Sequence, residues 1–163
     1  MQARFVALAL TVALVSLAAP AAAQTLPAGG PSAAEMAEWL RAQGLDAAVR
    51  PGEDQVQSGA NGVSWEVVGF DCEAARCRSW QFSAGFLLPA LPEGAIADWN
   101  RSRRYLKGFE FQQPDGVAAV VQYDVLITPG MTWGAMTEHM HLFASVAPQF
   151  AVAMGVAAAP SGD

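Results

Sequence analysis

Apolar and polar residues alternate one by one along several stretches of the chain, the pattern of strands that have one buried and one solvated face. The clearest stretch covers 79–86, where four apolar residues take every second position. Turn signals such as Asn61-Gly62 separate the stretches. The pattern predicts strands over 63–70, 79–86, 105–112 and 117–125, with two shorter candidates over 46–50 and 55–58.

Apolar residues at helical spacing predict three helices between and after these strands. The first follows a capping box and covers about 33–43, and the second covers about 93–103. The third is long and begins after the N-cap Thr132. Pro148 removes a backbone donor from this helix, so we expect a kink or a break close to Ala147.

Together these elements predict one domain of the α+β class over 32–157. We expect an antiparallel sheet of about five strands, in the order α-β-β-β-α-β-β-α, packed against the first and third helices. The chain has five Trp and eight Phe, and most of them take the inward phase of their element. Core packing is therefore expected for most aromatic residues, and the lining of a ligand pocket is the alternative.

The first residues of the chain have the three parts of an export signal. Arg4 supplies a positive charge, residues 5–19 form an uncharged apolar run, and residues 21–23 are small, as a signal peptidase requires. We expect removal of residues 1–23, so that the mature chain begins at Gln24 and is periplasmic or secreted in a bacterium, without stable membrane insertion. The apolar run is shorter than a membrane span, and retention as an uncleaved anchor is the alternative.

Two further segments lie outside the predicted domain. Residues 24–31 contain two Pro and two Gly, and they predict a flexible leader. Residues 158–163 predict a disordered tail.

The charge balance is acidic. The formal net charge is −6, and removal of residues 1–23 takes away one Arg and no acid, which leaves −7. Nucleic-acid binding requires clustered positive charge, so this class of partner is excluded.

Cys72 and Cys77 are the two cysteines of the chain, and four residues separate them. An even count in an exported chain predicts a disulfide, here a bridge across a β-turn between two strands. The alternative, a redox-active dithiol, is disfavoured because such motifs are usually C-x-x-C at a helix N-terminus. No His or third Cys lies close in sequence, so we expect no metal.

One apolar stripe of the third helix is a candidate surface for a protein partner or a second copy of the chain. If the stripe faces the sheet it belongs to the core, and if any of it is exposed it exceeds an ordinary surface patch. The candidate residues are Trp133, Met136, Met140 and Phe143.

A basic cluster at the end of the second helix is the other candidate for partner binding. Arg101, Arg103, Arg104 and Lys107 hold half of the basic residues of the mature chain. The alternative is a purely structural role, because cations at the C-terminal end of a helix interact favourably with its dipole and its last carbonyls.

No sequence motif of a catalytic site is present. The chain has no G-x-S-x-G, H-E-x-x-H or P-loop, so we predict no catalytic residues and no cofactor. His139 and His141 stand two apart on a helix and cannot share a metal ion, so we expect a solvated pair. A pocket lined by Trp80, Phe82 and Trp133 in a small-molecule sensor is the alternative function.

Three segments carry a resemblance to a known family: Glu38 to Gly44, Phe70 to Cys72 with Cys77 to Phe86, and Asp98 to Arg104. With these residues the chain resembles the YbjN-type family of bacterial proteins over about 33–155. The resemblance implies a sensory transduction regulator with a fold similar to type III secretion chaperones and without attributed catalytic residues. It therefore implies a non-enzymatic binding or regulatory module, with Pro148 as a departure from the family's last helix.

Overall fold

Six antiparallel strands form one sheet, and three helices pack on one of its faces. The computed structural model describes residues 23–156. The strands lie in the spatial order β1-β2-β3-β4-β6-β5. Their bounds are β1 Ala47–Val49, β2 Gln55–Ala60, β3 Val63–Glu73, β4 Arg76–Leu88, β5 Lys107–Gln113 and β6 Gly116–Leu126.

The helices are α1 (Ala33–Ala42), α2 (Ala95–Ser102) and α3 (Trp133–Ala153). The predicted α+β class with an antiparallel sheet is confirmed, but the sheet has six strands instead of about five. The short candidate over 46–50 forms the sixth strand, the three-residue β1, which pairs with β2 at the edge of the sheet. The element order therefore has four strands, not three, between α1 and α2.

The N-terminus of α1 has the predicted capping box. The Ser32 hydroxyl accepts from the Glu35 N–H, and the Glu35 carboxylate accepts from the Ser32 N–H. Arg76 of β4 pairs with the same carboxylate at 3.0 Å. Burial raises the pKa of Glu35, but the hydrogen bonds from Ser32 and Arg76 and the charge of Arg76 outweigh it, so that the pKa lies below its ordinary value.

Aromatic rings fill the space between the sheet and α3. Trp65 and Phe82 project from β3 and β4 onto Phe143 of α3, with ring centroids 5.9 and 5.6 Å from it. Farther along the same helix, Phe150 packs against Trp99 of α2 at 5.1 Å. The face of the sheet beneath the helices is thus the core of the protein.

The predicted break near Pro148 is absent, since α3 runs without interruption to Ala153. A proline lacks the N–H that would donate to the carbonyl four residues earlier, here that of Ala144. The side-chain amide of Asn61 donates to this carbonyl at 3.1 Å. The tip of the β2–β3 hairpin therefore replaces the donor that the proline removes.

The segment 24–31, predicted as a flexible leader, has fixed partners in the structure. Thr25 forms an isolated bridge with Thr132, and the Leu26 N–H donates to the Met131 carbonyl at 2.8 Å. Gly30 lies so close to the backbone of Cys77 that a Cβ there would meet its carbonyl oxygen. The segment therefore packs against β4 and the start of α3.

The predicted export signal, except for its last residue, and the predicted tail lie outside the described residues. Among residues 23–156, no helix has both the length and the hydropathy that a membrane span requires.

Candidate functional site

The apolar stripe of α3 lies in the core, so the structure does not offer it as a partner surface. Met136 and Phe143 are wholly buried, and Met140 is 3% exposed. Trp133 is half-buried, and its ring stacks on that of Trp39 from α1 with centroids 5.6 Å apart. Met136, Met140 and Phe143 therefore belong to the core, whereas Trp133 at the start of α3 packs on α1 and keeps part of its ring exposed.

The arginines of the basic cluster are exposed, but they also have structural partners. The guanidinium of Arg103 lies over the Trp99 ring at 4.9 Å, and that of Arg104 lies near the Tyr105 ring. Arg101 pairs with Asp98 on the surface of α2. These contacts anchor the end of α2, and a docking role for Arg101, Arg103 and Arg104 stays a prediction.

The Cys72–Cys77 bridge predicted from the sequence is present. The two cysteines face each other across the β3–β4 ladder, one residue pair before the turn Ala74-Ala75. Both turn residues have left-handed backbone angles, φ of 48° and 62°, which alanine rarely adopts. The disulfide therefore closes a hairpin whose turn residues are unfavourable by themselves.

One group of potential metal ligands lies at the same place. Asp54 has a carboxylate oxygen within 4.8 Å of the sulfur atoms of Cys72 and Cys77, and within residues 23–156 no other such group is found. Because both sulfurs belong to the disulfide, they offer no thiolate ligands, and the arrangement does not suit a metal ion.

His139 and Tyr123 form a hydrogen-bonded pair between α3 and β6. The Tyr123 hydroxyl and His139 Nδ1 are 2.7 Å apart. Burial lowers the pKa of His139. Burial also raises the pKa of Tyr123, and the charge of the nearby Tyr105 raises it further. The expectation of a solvated histidine pair is wrong for His139, which is half-buried, whereas His141 is exposed.

The sheet has an open face, opposite the helices, and this is the candidate functional site. Residues next to Trp65 and Phe82 in sequence point to this face because side chains alternate along a strand. It carries exposed apolar side chains on the half formed by β4, β6 and β5. Phe109 and Phe111 are 40% and 43% exposed and stack on each other at 6.2 Å, and Leu87 is 59% exposed.

A trough of about 670 Å³ crosses the open face beside these two rings. Small residues form its floor, namely Ser64 on β3 and Ser83 and Gly85 on β4. Gly85 pairs with Val120 of β6, which in turn pairs with Phe109 of β5. The register thus places the aromatic wall directly beside the low floor.

The far wall of the trough is polar. Gln57 and Glu66 stand on β2 and β3, and the Glu66 carboxylate accepts a hydrogen bond from the side chain of Gln55. Gln122 of β6 also lines the trough. The site therefore combines apolar contact area with amide and hydroxyl groups and a single carboxylate, which suits the binding of a ligand.

The sequence pattern did not reveal this site, because Phe109 and Phe111 lie on the open face of the sheet whereas most aromatic residues of the chain point into the core. Inward space at β5 is already filled, since a Cβ on Gly108 would lie 2.6 Å from the ring of Phe150. The signal available in the sequence was the small residue Gly108 between two large ones, which marks a close approach from another element.

The pocket predicted between Trp80, Phe82 and Trp133 is not formed by these residues. Trp80 and Phe82 are wholly buried in the core, whereas Trp133 lies against α1. The three side chains therefore do not converge on one cavity.

Comparison with known proteins identifies the family. The YbjN family, described as "Putative bacterial sensory transduction regulator", matches residues 32–155. The crystal structure of YbjN from E. coli is similar to this fold, with a TM-score of 0.56 and 15% sequence identity, over 76% of this chain and 89% of that one. No curated protein matches the chain. The match spans nearly all of the described residues, and the chain belongs to the YbjN family.

Proposed function

We propose that this chain is an exported, non-enzymatic binding module of the YbjN family, and that its open sheet face binds an extended segment of another protein. The observation that carries the proposal is the stacked, exposed pair of Phe109 and Phe111 beside a trough on the open face. Exposed apolar clusters of this kind mark interaction sites.

The chemistry of the trough favours a polypeptide as the occupant. Aromatic rings supply contact area, while Gln57, Gln122 and the hydroxyls of the floor supply donors and acceptors for a peptide backbone. The acidic net charge of the chain disfavours nucleic acid.

The shape of the trough favours a segment over a second copy of this chain. In a symmetric dimer the same surface meets itself, so that two concave floors would face each other and leave a void between them. The net charge of −7 on each mature copy adds repulsion. A narrow, convex segment fills the trough without this penalty.

Export is proposed from the predicted signal, and the disulfide supports it. A Cys72–Cys77 bridge persists in oxidising compartments and is rare in the bacterial cytosol. Cell fractionation with mass spectrometry of the purified chain tests this part of the proposal. A mature N-terminus at Gln24 in the periplasm or medium is expected, and an intact N-terminus on cytosolic protein would contradict it.

Site-specific photo-crosslinking in cells tests the binding face. A photoreactive phenylalanine analogue at Phe111 is expected to give an adduct with another protein, and the same analogue at the exposed Val152 of α3 serves as the control. An adduct of twice the mass of the chain would identify a dimer, and the absence of an adduct specific to Phe111 would overturn the proposal.

The captured segment then provides a quantitative test. A synthetic peptide of the crosslinked sequence is titrated into the wild type, a Phe109→Ser/Phe111→Ser variant and a Val152→Ser control. Loss of two stacked, desolvated rings is expected to weaken binding by roughly 100-fold or more. Circular dichroism is expected to be unchanged, because the two rings lie outside the core.

A further inference from the structure

A second concave surface lies on the helix side of the protein, between α1 and the start of α3. It has a volume of about 500 Å³. We call it the tryptophan groove, and its lining includes Glu35, Glu38, Trp39, Gln43, Trp133 and Glu138. It lies away from the open face and is independent of the proposed function.

The side chains that line the tryptophan groove carry negative charge, whereas the α-amino group of a mature N-terminus at Gln24 would add one positive charge at its border. Three carboxylates line the groove, and no Lys, Arg or His is among the lining residues. Glu35 is already paired with Arg76 at the border of the groove. Within residues 23–156, Glu38 and Glu138 form no ion pair, so their charges are available to a ligand.

Helix ends of both signs border the groove, so the carboxylates and not the helix dipoles select for a cation. Ala42 and Gln43, at the C-terminal end of α1, line the groove, and this is the negative end of the helix dipole. The positive end of α3 also borders the groove, and two of its first three N–H groups have acceptors. Trp133 N–H donates to the Gln24 carbonyl, and Ala135 N–H donates to the Thr132 hydroxyl.

Two indole rings supply the apolar part of the site. Trp39 and Trp133 stack with an interplanar angle of 25°, and Trp133 keeps part of its surface exposed. An indole is the aromatic side chain that attracts a cation most strongly. We propose that the tryptophan groove binds a small organic cation, a quaternary or alkyl ammonium group held between the Trp133 ring and the carboxylates of Glu38 and Glu138.

Choline and its neutral isostere 3,3-dimethylbutan-1-ol provide a direct test, because they differ in the charged centre and hardly in shape. Both are titrated into the full mature domain by isothermal calorimetry and by two-dimensional amide NMR. Choline is expected to bind saturably, to shift the indole N–H signals of Trp39 and Trp133, and to bind roughly tenfold or more tightly than the isostere. Equal binding of the two compounds, or no saturation by choline in the millimolar range, would overturn the proposal.

Variants separate the site from general charge. Glu38→Gln/Glu138→Gln is expected to weaken choline binding by roughly tenfold. Glu93→Gln/Glu110→Gln removes the same charge from exposed positions elsewhere and is expected to leave binding unchanged. Equal effects of the two double variants would mean that the site does not select the cation.

A change in the ring tests the aromatic contribution. Trp133→Leu keeps an apolar side chain but removes the π face, and it is expected to weaken choline binding by roughly tenfold while binding of the neutral isostere changes little. Thermal unfolding of each variant establishes that it is folded at the temperature of titration. Unaltered choline binding by folded Trp133→Leu would contradict the role of the indole.

Discussion

The hydrogen bond from Asn61 to the Ala144 carbonyl should decide how well α3 tolerates Pro148. Asn61→Asp keeps the shape of the side chain and its tolerance of the left-handed angle, φ 52°, but removes the donor. The Ala144 carbonyl then loses its replacement donor within a buried stretch of helix. We expect the free energy of unfolding to fall by about 1 kcal/mol, because Asn61 itself is exposed and water can compensate in part.

A double-mutant cycle isolates this interaction. In a Pro148→Ala background the residue at 148 regains an N–H that donates to the Ala144 carbonyl, so Asn61→Asp should cost well under 1 kcal/mol there. Urea denaturation of the four proteins gives the coupling energy, expected to be about 1 kcal/mol. In thermal melts the single Asn61→Asp variant should unfold about 3–4 °C lower than the wild type. An equal loss in both backgrounds would refute the idea that the hairpin tip replaces the missing donor.

Other predictions concern the hydrogen-bonded histidine, the core and the disulfide hairpin. Burial lowers the pKa of His139, so the unfolded chain takes up this proton at a higher pH than the folded chain, and the stability should fall as the pH drops below 6.5. Urea denaturation at neutral and acidic pH should show this fall in the free energy of unfolding for the wild type and for a control His141→Gln variant. A fall of the same size in His139→Gln would contradict the assignment to His139. Gly108→Ala places a methyl group against a core ring and should lower the free energy of unfolding by about 1–3 kcal/mol in the same assay, whereas unchanged stability would mean that the ring moves freely. Ala75→Gly should raise stability by about 0.5 kcal/mol, because relief of its left-handed angle exceeds the added entropy of the unfolded chain. Reduction of the disulfide should lower the stability by about 2 kcal/mol, and an unchanged urea midpoint after reduction would argue against a structural role.

Much of the local structure follows from short-range rules that can be applied to the sequence alone. The Ser32–Glu35 capping box begins α1, and Thr132 caps α3 as predicted. The spacing of Cys72 and Cys77 predicts their bridge, since a hairpin brings residues on both sides of a short turn opposite each other. Each of these features depends on residues that are near one another in the chain.

The candidate site could not be predicted in this way, because its residues come together only through the sheet. The trough joins β2, β3, β4, β6 and β5, and its wall and floor are separated by many residues along the chain. The phase of Phe109 and Phe111 depends on Phe150, a ring from α3 that occupies the inward space above Gly108. A strand pattern shows that two faces differ, but it does not show which face an element from elsewhere will cover.

The sequence by itself determined the α+β class, the starts of α1 and α3, the disulfide and the family of this protein, because these depend on local spacing and on motifs carried by contiguous segments. Only the tertiary structure decided that the stripe of α3 is core, that Pro148 is accommodated, and that aromatic rings remain on the open face. The physical reason is that the burial and the hydrogen bonding of a residue depend on which other residues pack against it. For Met140 and Ala144 that neighbour lies in another element, more than ten residues away in the chain. Phe109 lies on the face of the sheet that none of the helices within residues 23–156 covers.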